Sequence, residues 1–412
     1  MIQHFQDSIK ELKQHKHGWY QVGQKLYTSK YNALVESSRT KQKVRWNFNY
    51  NIFNDAIKKL CQLPNRTSLT DLYLQRAQQL RDNYDYLILA VSGGADSDNI
   101  LQTFINNKIK LDEVWSDWPI NLIEKSNYQV DTSTNPANMA SEWFLAAKPA
   151  LNKLKISNPE IKIHISDHFQ YGPKIEDFED SPIFNNSPTH YVAIKRWRYI
   201  NEYIDKNFKN KKIAVITGND KPIPVIHPDN QTYGFAFCDF GTHFRSHSND
   251  INKAIEYFYW SPDFPELPVI QALRVWDYLK LNPTIIKEKF KFQNPQYAQH
   301  DTVRSRKYNM DQIIKLVCYP YWDFSIHQCD KPYHGLDKTL EIYNIPFTSV
   351  MYSRLMKNWI NEPWYQSYIS NVNQSLKFLD PEIAFQNGKD FKEDLKLFYN
   401  YHILGEVSAL LL

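Results

Sequence analysis

Residues 84–105 read YDYLILAVSGGADSDNILQTFI, and the pattern in this stretch decides the fold. Leu87, Ile88, Leu89, Ala90 and Val91 form an unbroken apolar run without period-two polarity, as in a parallel strand covered on both faces. After Ser92-Gly93-Gly94-Ala95-Asp96-Ser97 the apolar residues resume at Ile100, Leu101, Phe104 and Ile105. That is the stripe of a helix packing back onto a sheet, with Ser97 or Asp98 placed to cap it. The unit is strand, tight loop, helix. Gly93 and Gly94 let backbone N–H groups come close to an anion, Ser92 and Ser97 add hydroxyls, and the start of the helix adds partial positive charge. Such a set of donors suits a polyphosphate. Neither G-x-x-x-x-G-K-[ST] nor G-x-G-x-x-G occurs in the chain, so Walker-type and dinucleotide-type sites lack their motifs.

Ser92 to Ser97, SGGADS, is similar to the S-G-G-x-D-S signature of the PP-loop ATP pyrophosphatases, the adenine nucleotide alpha hydrolase-like proteins. The similarity is local and covers about the first strand and helix of that fold. It implies a Rossmann-like (HUP-type) doubly wound parallel α/β sheet and cleavage of ATP between its α and β phosphates with Mg²⁺. On this resemblance Ser92, Gly93, Gly94 and Ser97 would hold the pyrophosphate, while Asp96 would act through Mg²⁺ or orient the loop. Members commonly carry a second motif, TG followed by an acid, at the end of a later strand. Ile213 to Ile216 is such a strand here, and Thr217-Gly218-Asn219-Asp220-Lys221 follows it. Thr217 and Gly218 would then contact nucleotide and Asp220 would join Asp96 on Mg²⁺. Lys221 would neutralise charge on the departing pyrophosphate. The strand at 111–116 would supply backbone contacts to adenine from Val114, Trp115 and Ser116, with core packing an equal alternative for Trp115. Glutamine-dependent relatives have cysteine after Met1, whereas Ile2 stands here, so ammonia or sulfur would come from a separate donor.

Composition narrows the function classes. The 412 residues leave room for two or three domains, and glycine is scarce at 11 against 27 Tyr, 23 Phe and 11 Trp, so a glycine pair marks a backbone requirement. A formal charge of +4 is too small to argue for a nucleic-acid binder by itself. The 4 cysteines form neither a disulfide framework nor a CxxC site, which favours a reducing cytoplasm. No apolar run is long enough to span a membrane and the amino terminus is too polar for a signal peptide, so neither export nor membrane insertion is expected.

Along the chain, residues 1–83 read as a small α+β lead-in: a short helix around Ile9 and Leu12, a strand from Trp19 to Tyr27, and helices from Tyr31 and from Thr67. Arg76 and Arg81 on the last of these would either reach a phosphate or face solvent. Residues 84–230 read as the nucleotide-binding domain. Its further elements are a loop from Pro119 to Pro136 suited to a lid, a helix over 138–154, a strand over Ile161–Ile165 and a basic aromatic helix over 194–208. His164 and His168 have the i, i+4 spacing of helical metal ligands but fall on a strand, so the spacing does not serve. Residues 231–412 read as a mainly helical, aromatic-rich region for the acceptor substrate, in which segments from Tyr233 onward are not expected to be sheet strands. Cys238, His243 and His247 lack the second cysteine of a zinc finger. Trp260, Asp263, Tyr319 and Lys331, each in an irregular stretch, are the residues expected to face the nucleotide crevice.

The reading reached is an adenylating enzyme that releases AMP and pyrophosphate for amide, amine or sulfur transfer to a small-molecule or tRNA acceptor. Two alternatives stand beside it. A sulfonucleotide (PAPS) reductase-like oxidoreductase shares the loop but needs a reactive cysteine; the chain has no Glu-Cys-Gly tail, only Cys318 and Cys329. A nucleotide- or RNA-binding protein without turnover would never form pyrophosphate.

Overall fold

A computed structural model of the chain describes residues 18–47, 50–62, 67–118, 120, 143, 147–167, 188–218, 221–226, 232–238, 252–289, 310–321, 363–364, 366–367, 370 and 399–410. Its centre is a 5-stranded parallel sheet with helices packed against it, an α/β fold. The strands are β4 (Tyr86–Ala90), β5 (Glu113–Asp117), β6 (Lys162–Ser166), β7 (Ile213–Thr217) and β10 (Lys253–Tyr257), in the order β10-β7-β4-β5-β6. From β4 the chain steps outward through β5 to β6, then returns to place β7 on the other side of β4. The winding therefore reverses between β4 and β7, where Leu89 pairs with Ile216. These two strands hold the middle because they are apolar on both faces: Leu87, Ile88 and Leu89 are buried, as is every residue of β7.

Helix α3 (Leu69–Asn83) leads into β4 and is capped by Ser68, whose hydroxyl accepts from the Thr70 N–H at 3.2 Å. Helix α4 (Ala95–Asn106) leaves the loop after β4 and buries Ile100, Leu101 and Phe104, the stripe expected from the sequence. Helices α5 (Lys148–Ser157) and α6 (Pro188–Asn207) flank β6 in sequence, and α7 (Glu266–Lys280), α8 (Pro283–Lys289) and α9 (Met310–Cys318) follow β10.

Several expectations are corrected. Trp19–Tyr27 is a hairpin of β1 (Trp19–Val22) and β2 (Lys25–Tyr27), because Gly23 at φ +57° turns the chain between them. Helices α1 (Lys30–Thr40) and α2 (Tyr50–Leu60) flank β3 (Val44–Asn47), which completes a 3-stranded sheet. Strands do not stop near Ile216. β8 (Ile223–Ile226) pairs with β9 (Thr232–Cys238) across the position expected as a domain boundary, and β10 lies beyond it. The period missed there is polar: β10 carries Lys253 and Glu256, so it lacks an apolar run. In the tail, Tyr399–Glu406 is β11, paired antiparallel with β9. Gly234 permits that approach, since a Cβ on it would lie 1.9 Å from the His402 carbonyl oxygen. The short helix expected around Ile9 lies outside the described residues.

One continuous apolar core joins the lead-in to the sheet domain. Phe53 of α2 packs 5.1 Å from Phe237 of β9, and Trp46 of β3 packs 6.3 Å from Trp260. Arg76 and Arg81 serve neither phosphate nor solvent. Arg76, 1% exposed, pairs with the equally buried Glu256 of β10 at 2.9 Å, and Arg81 pairs with Asp112 at 2.6 Å. Among the described residues no helix is long and apolar enough to cross a membrane.

Candidate functional site

The exits of β4 and β7 meet at the point where the winding of the sheet reverses, the place where open α/β sheets leave a crevice for ligands. Gly218 sits against the first turn of α4: a Cβ on it would lie 3.1 Å from Asp96 Cβ and 3.2 Å from the Asp96 carbonyl carbon. Any side chain there would crowd Asp96, which would have to give by a few tenths of an ångström.

The SGGADS loop closes on itself. The Ser97 hydroxyl donates to the Gly94 carbonyl at 3.1 Å and accepts from the Ser92 N–H at 3.3 Å, so its proton is spent inside the loop. Ser97 thus shapes the loop. Ser92 is exposed, its hydroxyl accepts from the Gly94 N–H at 3.3 Å, and among the described residues none accepts its own proton. Gly94 is the N-cap of α4 and supplies no side-chain cap, so the first-turn N–H groups retain their capacity to bind an anion. Gly93, at φ +80°, is needed for a close packing: a Cβ on it would lie 2.8 Å from the backbone N and Cα of Ala147, just ahead of α5.

Asp96 gathers the remaining groups. Lys221 Nζ lies 2.6 Å from its Oδ1, and the Tyr319 hydroxyl donates to the same oxygen at 2.6 Å. The Tyr259 hydroxyl donates to the Asp96 carbonyl at 2.8 Å and receives the Asn99 amide at 3.0 Å. Tyr259 and Tyr319 stack with centroids 5.4 Å apart, and Lys221 Nζ lies 5.6 Å from the Tyr319 ring centroid. Burial raises the pKa of both tyrosines well above the usual value, with the Asp96 charge next in effect, so both hydroxyls stay protonated donors.

The other expected site residues are placed as follows. Val114, Trp115 and Ser116 are buried in β5. The Trp115 carbonyl accepts from Val91 at 2.8 Å, its ring stacks on His164 at 3.9 Å, and the Ser116 hydroxyl donates to the Val91 carbonyl at 2.7 Å. Trp115 therefore packs in the core. His164 faces Glu113 at 3.5 Å. Burial raises the Glu113 pKa, but hydrogen bonds from His164, Tyr203 and Tyr86 outweigh it and the net shift is down. Thr217 is buried, and its carbonyl accepts from Phe258 at 3.0 Å. Trp260 does not face the crevice. It is fully buried among Trp46, Phe53, Phe237 and Tyr257, because an indole gains most where its whole surface leaves water. Asp263 is exposed, and its carbonyl accepts from Gln79 at 3.0 Å. Asp220, Lys331, Cys329, His168, His243, His247 and the Pro119–Pro136 loop apart from Ile120 lie outside the described residues, as do the side chains of Lys195, Arg196, Trp197 and Cys238.

Tyr259 and Asn99 were not foreseen. Tyr259 lies in an unbroken aromatic run, YFYW, and nothing in the composition of that run marks which ring turns to the loop. Asn99 is helical position five of α4, and only its spacing from Gly94 placed it near the site.

A divalent cation is compatible with this arrangement. Both contacts to the Asp96 carboxylate fall on Oδ1, so among the described residues none bonds Oδ2, and a cation carried by phosphates needs only one or two carboxylates from the protein. Among the described residues no group of three or more His, Cys, Asp or Glu would hold a metal unaided. Cys318 is buried, its thiol lies 3.9 Å from the Gln271 carbonyl, and burial pushes its pKa up to about 12. Comparison with protein families, with curated proteins and with solved structures finds no match.

Proposed function

We propose that this protein is a PP-loop type enzyme with a Rossmann-like (HUP-type) sheet that splits ATP into AMP and pyrophosphate while activating an acceptor. The observation that carries the reading is the meeting of the SGGADS loop with the Gly218 exit at the reversal point of the sheet, with Lys221 beside Asp96. Open α/β sheets bind their ligands at such points.

In this reading the first-turn N–H groups of α4 and the Ser92 hydroxyl grip the β and γ phosphates. Lys221 moves its charge from Asp96 to the pyrophosphate as negative charge collects there. Mg²⁺, when bound, would supply charge neutralisation, and Asp96 with Asp220 would hold it. An acceptor carboxylate or carbonyl oxygen attacks the α phosphorus and pyrophosphate leaves. Ammonia, an amine or sulfur from a separate donor then displaces AMP. Positioning and electrostatics supply the acceleration, so no covalent protein intermediate is required. The acceptor is a small molecule or a tRNA.

The reductase-like alternative is disfavoured by Cys318, since a buried thiol with a raised pKa is a poor nucleophile. The test is incubation with α-labelled ATP, Mg²⁺ and a metabolite or tRNA pool. AMP and pyrophosphate in equal amounts support the proposal; ADP and phosphate overturn it.

A further inference from the structure

Asp96 is held by groups that arrive from three distant parts of the chain. Lys221 follows β7, Tyr259 follows β10, and Tyr319 lies one residue past α9. Lys221 and Tyr319 share Oδ1, whereas Tyr259 takes the backbone carbonyl. Tyr319 is itself anchored. The Cys318 carbonyl just before it accepts from the Tyr73 hydroxyl of α3 at 2.7 Å, and Tyr73 receives the Gln271 amide of α7 at 2.9 Å. Its ring is stacked on Tyr259, and it is 3% exposed.

Lys221 differs in kind. It is a long, charged side chain with four rotatable bonds, and a phosphate is a stronger competitor for it than a carboxylate already sharing its charge with a hydroxyl. When Lys221 leaves Asp96, only a rigid neutral donor keeps the carboxylate from rotating.

We propose that Tyr319 is a positioning residue that pins Oδ1 of Asp96, so that Oδ2 stays presented to the divalent cation of Mg·ATP after Lys221 transfers to phosphate. The inference rests on the functional reading above. It adds that the segment carrying α9 sets the cation dependence of nucleotide binding through a neutral hydroxyl.

The test is binding of α,β-methylene-ATP by calorimetry, across a Mg²⁺ series and in EDTA, with thermal unfolding followed in parallel. Tyr319→Phe keeps the ring, its stack and its place under Lys221 but removes the hydroxyl. The Mg²⁺ concentration for half-saturation should rise about tenfold, as befits one lost hydrogen bond to a charged group, with affinity in EDTA unchanged. Tyr259→Phe, which frees the Asp96 carbonyl and the Asn99 amide but touches neither carboxylate oxygen, should leave the Mg²⁺ dependence as in the wild type. Asp96→Asn keeps an acceptor for both donors and removes the charge, and should abolish the Mg²⁺ enhancement. An unchanged Mg²⁺ requirement in Tyr319→Phe, or an equal loss with and without Mg²⁺, overturns the assignment while leaving the functional reading standing; enhancement retained in Asp96→Asn overturns the assignment and removes the Asp96–cation contact from the functional reading as well. If the wild-type protein binds no nucleotide, both fall together.

Discussion

Gly218 rests on Asp96, with 3.2 Å between the position of a Cβ on the glycine and the Asp96 carbonyl carbon. The atoms it would meet are the Asp96 Cβ, at 3.1 Å, and the Asp96 backbone carbonyl, none of which can swing aside as the end of a long side chain can. Gly218→Ala should therefore displace the first turn of α4 and weaken nucleotide binding at least tenfold, while costing only about 1 kcal/mol of stability. Calorimetry alongside urea unfolding would separate the two effects; wild-type affinity in this variant would remove Gly218 from the site.

Arg76 and Glu256 form a buried ion pair that ties α3 to the edge strand β10. Tyr84 also donates to Glu256, and Arg76 reaches the Tyr257 carbonyl at 3.0 Å. Removing one partner leaves the other charge buried without compensation, so Arg76→Met and Glu256→Gln should each cost roughly 3–5 kcal/mol. The double variant should be far less destabilised than the sum of the two. Additive losses in a double-mutant cycle would show that the pair is not coupled.

His402, on β11, has its pKa lowered from 6.5 to about 4 by burial. The unfolded chain therefore takes up the proton first, so stability is complete above pH 6.5 and is lost progressively as the pH falls to about 4. The loss from this residue is on the order of 3 kcal/mol across that window. Urea unfolding between pH 7 and pH 4 should show a shallower decline for His402→Gln than for the wild type; parallel curves would exclude the histidine as the source.

Cys318 should resist modification. Its thiol is buried and its pKa is pushed up to about 12, whereas Cys61 is exposed. Under native conditions a thiol reagent should label Cys61 and spare Cys318 until the protein unfolds. Native labelling of Cys318, located by peptide mass, would return the redox reading to consideration.

The sequence by itself determined what depends on neighbours along the chain. A short apolar run without alternation at 87–91, ended by a glycine pair, reads as a strand covered on both faces, and glycines at 93 and 94 followed by a 3.6-residue stripe read as a tight loop feeding a helix. The strand at Ile213–Thr217 and its exit at Gly218 were legible for the same reason. Tertiary structure decided what this local grammar does not encode. Tyr319 meets Asp96 across 223 residues, and Arg76 meets Glu256 across 180. β10 hides in the sequence because a buried glutamate interrupts its apolar pattern, and that glutamate is tolerated only because Arg76 and Tyr84 reach it. Trp260 and Tyr259 are adjacent and chemically alike, yet one fills the core and the other holds the loop. A strand end turns successive side chains to opposite sides, and only the packing partners of each side decide which one reaches the site.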